Sequence, residues 1–281
     1  MKQYEIGLYE KAMRNSLSWS EKLQCTRECG YDYLEISIDA TEEKIDRIFM
    51  DKEEKKKIVK AMFQTETPIG SMSVSALTKY ALGDLSEEIR TKAMLIAEKA
   101  IELAPDLGIR TVMIPGYDVY YGESTVETKK YFLENIKKIA ETAERKGVLV
   151  GFETMENDFM NTTAKALQYV NMVDSAYLKI YPDAGNITNA AVANRHDVCV
   201  DLALGKGKLI ALHLKETLPG IFREVPFLTG HVEFERIIET AWKAGVRRYV
   251  TELWDLGGEN WKDEIRFANQ NMRAILDQQF Q

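Results

Sequence analysis

Four residues that could bind a metal ion each follow a short apolar run in the second half of the chain. They are Glu153, Asp183, His213 and Glu252. Each run, such as residues 148–152 before Glu153, is typical of a buried parallel strand. Because the carboxyl ends of the strands in a parallel barrel meet at one mouth, we expect the four side chains to converge there.

The spacing of these residues fits successive strands of such a barrel. Asp183 follows Glu153 by 30 residues, His213 follows Asp183 by 30, and Glu252 follows after a further 39. One strand-helix-strand step takes about 30 residues or more, so successive strands would supply successive ligands. Three carboxylates and one neutral imidazole form a hard, mostly oxygen-donor set that suits Mg²⁺ or Mn²⁺, although Zn²⁺ or Co²⁺ could also occupy it.

A divalent ion at this position would support proton transfer next to a carbonyl group. With two free ligand positions it could hold the vicinal oxygens of a hydroxy-ketone, polarise the carbonyl and stabilise an enediolate. If Glu153 and Glu252 each bind the ion through one oxygen, their other oxygens can face opposite sides of the carbon between them. One glutamate would then remove a proton and the other return one, which inverts a stereocentre. The residues therefore predict an epimerase.

The hydrophobic pattern alternates short apolar runs with longer amphipathic stretches about eight times. A length of 281 residues suits one α/β barrel, which needs roughly 250. No glycine-rich nucleotide loop follows the first apolar run, which argues against an open doubly wound sheet. We therefore predict a single (β/α)₈ TIM barrel over residues 1–281. The predicted strands are residues 6–9, 31–36, 69–74, 111–114, 148–152, 177–181, 209–212 and 249–251.

Helix boundaries are marked by capping residues. Helix starts are predicted at Ser18, Ser86 and Thr125, and helix ends at four glycines that each precede a strand. These glycines are Gly30, Gly108, Gly147 and Gly245. A further helix is predicted over residues 194–204, which places His196 on its surface. The three cysteines, Cys25, Cys29 and Cys199, match no disulfide or zinc pattern, and we interpret them as reduced packing residues.

Composition and charge exclude several classes of protein. The net charge of −7 and the lack of an extended basic run argue against a nucleic-acid partner. The apolar runs are far shorter than a membrane span, so no membrane partner is expected. The N-terminal residues turn directly into a strand-like segment with no leader pattern, which makes cytoplasmic location the expectation.

Six motifs, in order, give this chain a resemblance to a known family over nearly its whole length. They lie at residues 6–12, 116–121, 153–161, 181–186, 213–227 and 252–254. The chain resembles the L-xylulose 5-phosphate 3-epimerases (L-ribulose/hexulose phosphate epimerases) of the xylose-isomerase-like barrel superfamily, enzymes of ascorbate and pentose catabolism. This resemblance implies one divalent metal ion held by Glu153, Asp183, His213 and Glu252, with Glu153 and Glu252 as the acid/base pair. It implies a sugar-phosphate substrate, epimerised from L-xylulose 5-phosphate to L-ribulose 5-phosphate, and a homodimer.

Two segments depart from the family pattern where substrate contacts are expected. Residues 75–79 read Ser-Ala-Leu-Thr-Lys where the family has Ser-Ala-His-Arg, and residues 228–231 read Leu-Thr-Gly-His where it has Gly-x-Gly. Substrate-binding candidates follow from charge and position in the barrel. They are Lys215 and Arg223 for phosphate, Asn161 and Asn186 for hydroxyls, and Trp254 as a wall of the sugar site, with Glu10 and Ser73 as weaker candidates. Lys215 could instead pair with a carboxylate, and the asparagines could serve turns.

Three alternative functions fit the same predicted barrel. The first is an aldose–ketose or hexulose-6-phosphate isomerase on the same barrel, which would move a proton between adjacent carbons. The second is a barrel nuclease for abasic DNA, against which three histidines and the acidic charge argue. The third is a non-catalytic sugar-phosphate binding protein that keeps the pocket without turnover.

Overall fold

Short strands alternate with helices throughout residues 3–280, which are the residues that the computed structural model describes. Within that range eight strands form one sheet. The strands are β1 (Glu5–Tyr9), β2 (Tyr33–Ser37), β3 (Ile69–Ser73), β4 (Thr111–Pro115), β5 (Leu149–Glu153), β6 (Leu178–Tyr181), β7 (Leu212–Leu214) and β8 (Arg248–Thr251).

Ten α-helices lie between and after these strands in the same described range. They are α1 (Trp19–Glu28), α2 (Glu42–Asp46), α3 (Lys52–Thr65), α4 (Glu87–Asp106), α5 (Val126–Lys146), α6 (Thr163–Val173), α7 (Ala184–Asn194), α8 (Val198–Ala203), α9 (Phe234–Lys243) and α10 (Trp261–Asp277). Short 3₁₀ turns follow β1, α2, β3 and α10, at Glu10–Ala12, Arg47–Phe49, Ser75–Thr78 and Gln278–Phe280.

The sheet curls into a barrel in which every strand pairing is parallel. The strand order is β6-β5-β4-β3-β2-β1-β8-β7, so β1 pairs with both β2 and β8. Two isolated parallel bridges, Ile180–Leu209 and Asp183–His213, connect β6 to the segment that contains β7. These bridges bring the two ends of the sheet together, and the predicted (β/α)₈ fold is confirmed.

Seven of the eight predicted strands agree with the structure to within two residues at each end. The seventh was predicted at residues 209–212, whereas β7 runs from Leu212 to Leu214. Leu209 reaches β6 only through its isolated bridge to Ile180, so the earlier part of this apolar run is not a continuous strand. The shift places His213 inside β7 rather than just after it.

The helix boundaries follow the predicted caps. Ser18 forms a capping box with Glu21, and the side chains of Ser86 and Thr125 also cap their helices. The four predicted terminal glycines all have positive φ, between 64° and 100°. These positions therefore use the left-handed conformation that glycine adopts without steric cost.

The helix predicted over residues 194–204 is confirmed only for Val198–Ala203, and its predicted start is wrong. Helix α7 ends at Asn194, and Arg195 takes a left-handed conformation with φ of 54°. The Asp197 side chain then starts α8 by accepting hydrogen bonds from the backbone N–H groups of Cys199 and Val200. His196 consequently lies in an exposed link between two helices.

The barrel has two apolar regions. A large cluster packs the outer faces of the strands against the helices, and a smaller one fills the barrel interior. Tyr33 belongs to the interior cluster, and its ring lies directly against two glycines of neighbouring strands. A Cβ atom would lie 2.4 Å from this ring at Gly7 and 2.5 Å from it at Gly70. Glycine at these positions therefore makes room for a large aromatic side chain inside the barrel.

The three cysteines are free thiols, and Cys25 and Cys29 are buried. Their sulfur atoms lie 3.9 Å apart, with Cys25 in α1 and Cys29 directly after its last residue. Among residues 3–280, none of the helices combines the length and the apolar character that a membrane crossing requires.

Candidate metal centre and active site

The four residues predicted to bind a metal ion come together at the carboxyl ends of β5 to β8. Glu153 is the last residue of β5, and Glu252 directly follows β8. Asp183 lies two residues past β6, and His213 is the central residue of β7. One ligand atom from each residue lies within 4.8 Å of those of the other three, and all four residues are buried.

One ring nitrogen of His213 lies next to both glutamates. Its Nδ1 lies 3.3 Å from Oε1 of Glu153 and 3.2 Å from Oε2 of Glu252. On the other side of the ring, Nε2 lies 2.7 Å from Oε1 of Glu35. Glu35 is fully buried in the middle of β2, and the sequence analysis missed it. An acidic residue within the otherwise apolar run of residues 33–36 was the available signal.

Asp183 also has a defined structural position, at the N-terminus of α7. Its Oδ1 accepts a hydrogen bond of 2.6 Å from the backbone N–H of Asn186, and its own N–H donates to Oγ1 of Thr154 at 3.0 Å. Its other oxygen, Oδ2, is buried and has no hydrogen-bond partner. Because an unpaired buried carboxylate oxygen is costly, this atom favours a cation as its partner.

Lys215 lies within the cluster. Its Nζ is 3.2 Å from Oδ1 of Asp183 and 3.6 Å from Oε2 of Glu252. The side chain is almost fully buried, and burial alone would lower its pKa. The adjacent carboxylates, with Asp183 first, instead raise the pKa of Lys215 above its ordinary value. The lysine therefore carries a positive charge against the carboxylates, as the alternative interpretation of this residue expected.

The carboxylates have strongly perturbed pKa values. Burial, together with the charge of Glu252, raises the pKa of Glu153. Burial also raises the pKa of Asp183 to about 8, even though Lys215 opposes this shift. For Glu252 the effect of burial is outweighed by Lys215 and His213, which hold its pKa below the ordinary value. Burial thus disfavours the charged forms of Glu153 and Asp183, and a divalent ion bound at this cluster would favour them.

A cavity of about 230 Å³ opens above the cluster. Of the predicted site residues, six line it, and they are Glu153, Asn186, Lys215, Arg223, Glu252 and Trp254. Asn161 lies apart from this lining, and its Oδ1 accepts a hydrogen bond of 2.9 Å from Nζ of Lys165. The structure thus brings most of the predicted site around one small space.

Basic and hydroxyl groups also lie at the edge of the cavity. Of these, the sequence analysis predicted only Ser73, as a weaker candidate. Lys11 and Lys79 line it, and Lys11 pairs with Asp39 at 3.0 Å. Ser73 and Ser75 also line it, and both have buried hydroxyl oxygens without a hydrogen-bond partner.

Glu10, the other weaker candidate, does not line the cavity. Its carboxylate pairs instead with Lys22, Lys44 and Arg47 on the side of α1 and α2. We therefore interpret Glu10 as a structural residue.

The family model described as "Xylose isomerase-like TIM barrel" matches residues 23–271. This chain belongs to that family. The matched range includes all four clustered residues, and the description of the family agrees with the parallel barrel.

One relative of this chain is the L-ribulose-5-phosphate 3-epimerase UlaE from Escherichia coli O139:H28. It is 36% identical over 276 residues, which cover 98% of this chain and 96% of the relative. The predicted resemblance to this group of epimerases is confirmed. So is the predicted enzyme class, a carbohydrate epimerase.

Solved structures show the same fold at low sequence identity. A D-allulose 3-epimerase from Methylomonas sp., in complex with D-allulose, has a TM-score of 0.77 and 16% identity, and 98% of each chain is covered. A xylose isomerase-like TIM barrel protein from Mycobacterium smegmatis, in complex with magnesium, has a TM-score of 0.75 and 15% identity, with 99% of this chain and 98% of that one covered. At these low identities the two structures support the barrel fold of this chain and nothing more specific.

The donor set of this xylose isomerase-like barrel fits one divalent ion. Three carboxylates and an imidazole are the ligands that hard or borderline divalent cations take. The unpartnered Oδ2 of Asp183 and the inward-facing Nδ1 of His213 both lie in the cluster. The buried cluster can therefore hold a metal ion next to the cavity.

Proposed function

We propose that the protein is a metal-dependent 3-epimerase of a ketopentose phosphate, which interconverts L-xylulose 5-phosphate and L-ribulose 5-phosphate. The observation that carries this proposal is the convergence of Glu153 and Glu252 with Asp183 and His213 at the base of one cavity. The near full-length relationship to an L-ribulose-5-phosphate 3-epimerase supports the substrate class. The cavity is smaller than the roughly 300–1,000 Å³ of common ligand sites, which favours a small sugar.

Glu153, Asp183, His213 and Glu252 would hold the ion, and Mg²⁺, Mn²⁺ or Zn²⁺ would suit this set of ligands. When bound, such an ion polarises the substrate carbonyl and stabilises the negative charge of the enediolate form of the sugar. The burial of the four residues keeps water away from the reacting carbon, which strengthens electrostatic interactions there.

Glu153 and Glu252 are the proposed acid/base pair. Both carboxylates lie beside the same nitrogen of His213, at 3.3 Å and 3.2 Å from its Nδ1, and both line the cavity. A sugar carbon held between their carboxylates would lose its proton to one glutamate and receive a proton from the other on the opposite face. This two-sided transfer at C3 changes the configuration and leaves the carbonyl position unchanged.

The remaining predicted residues would bind the rest of the sugar phosphate. Asn186 lines the cavity with an unpartnered Oδ1, which suits a sugar hydroxyl, and Trp254 forms part of the wall. Lys215 points at the carboxylates and would bind a substrate oxygen close to the reacting carbon. Arg223 lies farther out, half-exposed and 3.9 Å from Glu156, which suits the phosphate. Asn161 remains a predicted hydroxyl binder.

The test is proton exchange at a single carbon. The metal-loaded protein is incubated with L-xylulose 5-phosphate in D₂O, and C3 is followed by NMR. We expect deuterium at C3 and the appearance of L-ribulose 5-phosphate. An aldose product would replace the epimerase with an aldose–ketose isomerase, and tight binding without exchange would indicate a non-catalytic sugar-phosphate binding protein.

Two substitutions test the acid/base pair. Glu153→Gln and Glu252→Gln should each lower kcat by at least two orders of magnitude, because general acid/base groups contribute about 10²–10⁴-fold. Glu259→Gln, an exposed residue of the same loop as Glu252, is the matched control and should keep wild-type turnover. Near-normal turnover in either of the first two variants would refute the two-glutamate mechanism. The homodimer stays a prediction, which light scattering would test.

A further inference from the structure

Glu35 is a buried acidic residue that lies next to the candidate metal centre but does not line the cavity. Its side chain is fully buried inside the barrel and lies within hydrogen-bond distance of side chains from three other strands. Ser71 on β3 and Tyr181 on β6 donate to Oε2 from their hydroxyls, at 2.6 Å and 2.9 Å. His213 on β7 lies 2.7 Å from the other oxygen, Oε1, through its Nε2.

The two nitrogens of His213 therefore face different partners. Nδ1 faces the carboxylates of Glu153 and Glu252, whereas Nε2 faces Glu35. A neutral imidazole has one nitrogen that carries a proton and one that can bind a metal ion, and the partner of the protonated nitrogen decides which is which. Because hydroxyl donors already occupy Oε2, Oε1 of Glu35 is the acceptor available to an Nε2–H group.

We propose that Glu35 is a positioning residue that holds His213 in the tautomer with a proton on Nε2, so that Nδ1 is free to bind the metal ion. This inference rests on the proposed metal site. Glu35 does not touch the substrate, and it acts through the orientation and tautomer of the histidine. Removing the carboxylate partner of a metal-bound histidine typically lowers the metal affinity by about 10–100-fold.

The first test is a direct measurement of the tautomer. The chain contains three histidines, so ¹⁵N-histidine NMR of the Zn²⁺-loaded protein gives a spectrum simple enough to assign. We expect the His213 ring to carry its proton on Nε2 in the wild type and to lose this preference in Glu35→Met. A proton on Nδ1 of His213 in the loaded wild type would overturn the proposal.

The second test is metal affinity, measured by titration calorimetry with Zn²⁺ alone. Glu35→Met should bind the ion about 10–100-fold more weakly than the wild type. Glu35→Gln should lose less, because its amide oxygen can still accept from Nε2–H. Ser71→Ala is the matched control, since it removes a hydrogen bond to Glu35 without touching His213, and its affinity should stay close to the wild-type value.

Equal affinities in Glu35→Met and Ser71→Ala would show that the carboxylate has only a structural role. If Glu35→Met does not fold, as judged by circular dichroism, the wild-type tautomer and the Glu35→Gln titration decide the question. Neither readout uses a sugar. A wild type that binds metal with the expected tautomer but does not epimerise would therefore contradict the proposed function and leave the role of Glu35 standing.

Discussion

The charge cluster around Glu10 makes a quantitative prediction about stability. The Glu10 carboxylate, which is fully buried, lies 2.6 Å from Nζ of both Lys22 and Lys44 and 2.7 Å from Nη1 of Arg47. The side chains of Lys22 and Lys44 are each only 3% exposed. The substitution Glu10→Gln keeps the shape of the side chain and removes the one carboxylate that these three cations share.

The expected cost follows from the burial of the cations. Removing one partner of a buried ion pair typically costs about 3–5 kcal/mol, because the remaining charge is left without compensation. Burial already lowers the pKa of Lys44, with Arg47 and Lys22 adding to the effect and Glu10 opposing it. We therefore expect Glu10→Gln to lower the free energy of unfolding by about 3–5 kcal/mol. At about 2–4 °C per kcal/mol for chains of similar size, Tm should fall by roughly 6–20 °C.

The same cluster predicts a pH dependence. Burial opposes ionisation of Glu10, yet Arg47, Lys44 and Lys22 hold its pKa below the ordinary value. A depressed pKa in the folded state means that the stabilisation is fully present above the unfolded-state pKa of about 4.3 and is lost as the pH falls below it. The difference in stability between the wild type and Glu10→Gln should therefore be constant near pH 7 and should narrow below about pH 4.

Urea unfolding followed by circular dichroism between pH 7 and pH 3 measures both effects. Glu239→Gln is the control, because its ion pair with Lys243 lies on the exposed surface of α9 and should contribute only about 0.3–0.5 kcal/mol. A double-mutant cycle with Lys44→Met should show that the lysine substitution costs less when Glu10 is already glutamine. The reasoning would be wrong if Glu10→Gln cost no more than Glu239→Gln at pH 7.

Three further predictions concern the metal, the barrel interior and the substrate. A chelator should abolish turnover and lower Tm, since an ion at 100 times its Kd stabilises the folded state by about 2.7 kcal/mol. An unchanged Tm in scanning calorimetry would contradict a bound ion. Gly7→Ala should lower the free energy of unfolding by about 1–3 kcal/mol, because the added Cβ would lie 2.4 Å from the ring of Tyr33. The control is Gly258→Ala, whose added Cβ would meet nothing within 4 Å. It should have little effect in the same urea titration. Arg223→Ala should raise KM about tenfold in steady-state assays, which corresponds to about 1.4 kcal/mol of binding free energy, and should leave kcat nearly unchanged. A selective loss of kcat would place this residue at the reacting carbon instead.

The sequence by itself determined the barrel and the positions of the four clustered residues along it. Buried parallel strands require short, nearly continuous apolar runs, and the helices between them require amphipathic periods with caps, so both leave local patterns. A residue that directly follows such a run, as Glu153 and Glu252 do, must lie at the carboxyl mouth. For this reason the convergence of the four residues was predictable without knowing any distance.

The tertiary structure alone decided which partner each charged side chain meets. Glu35 and Glu10 lie about two dozen residues apart at the first two strands, yet one faces the candidate metal centre and the other a cluster of cations. Their partners come from segments far away in sequence, such as His213 for Glu35 and Lys44 for Glu10. Barrel closure and helix packing bring these groups together, and they leave no periodic trace in the sequence. The physical reason is that local patterns specify which face of an element is buried, whereas the identity of a neighbour across the barrel depends on the geometry of all the elements together.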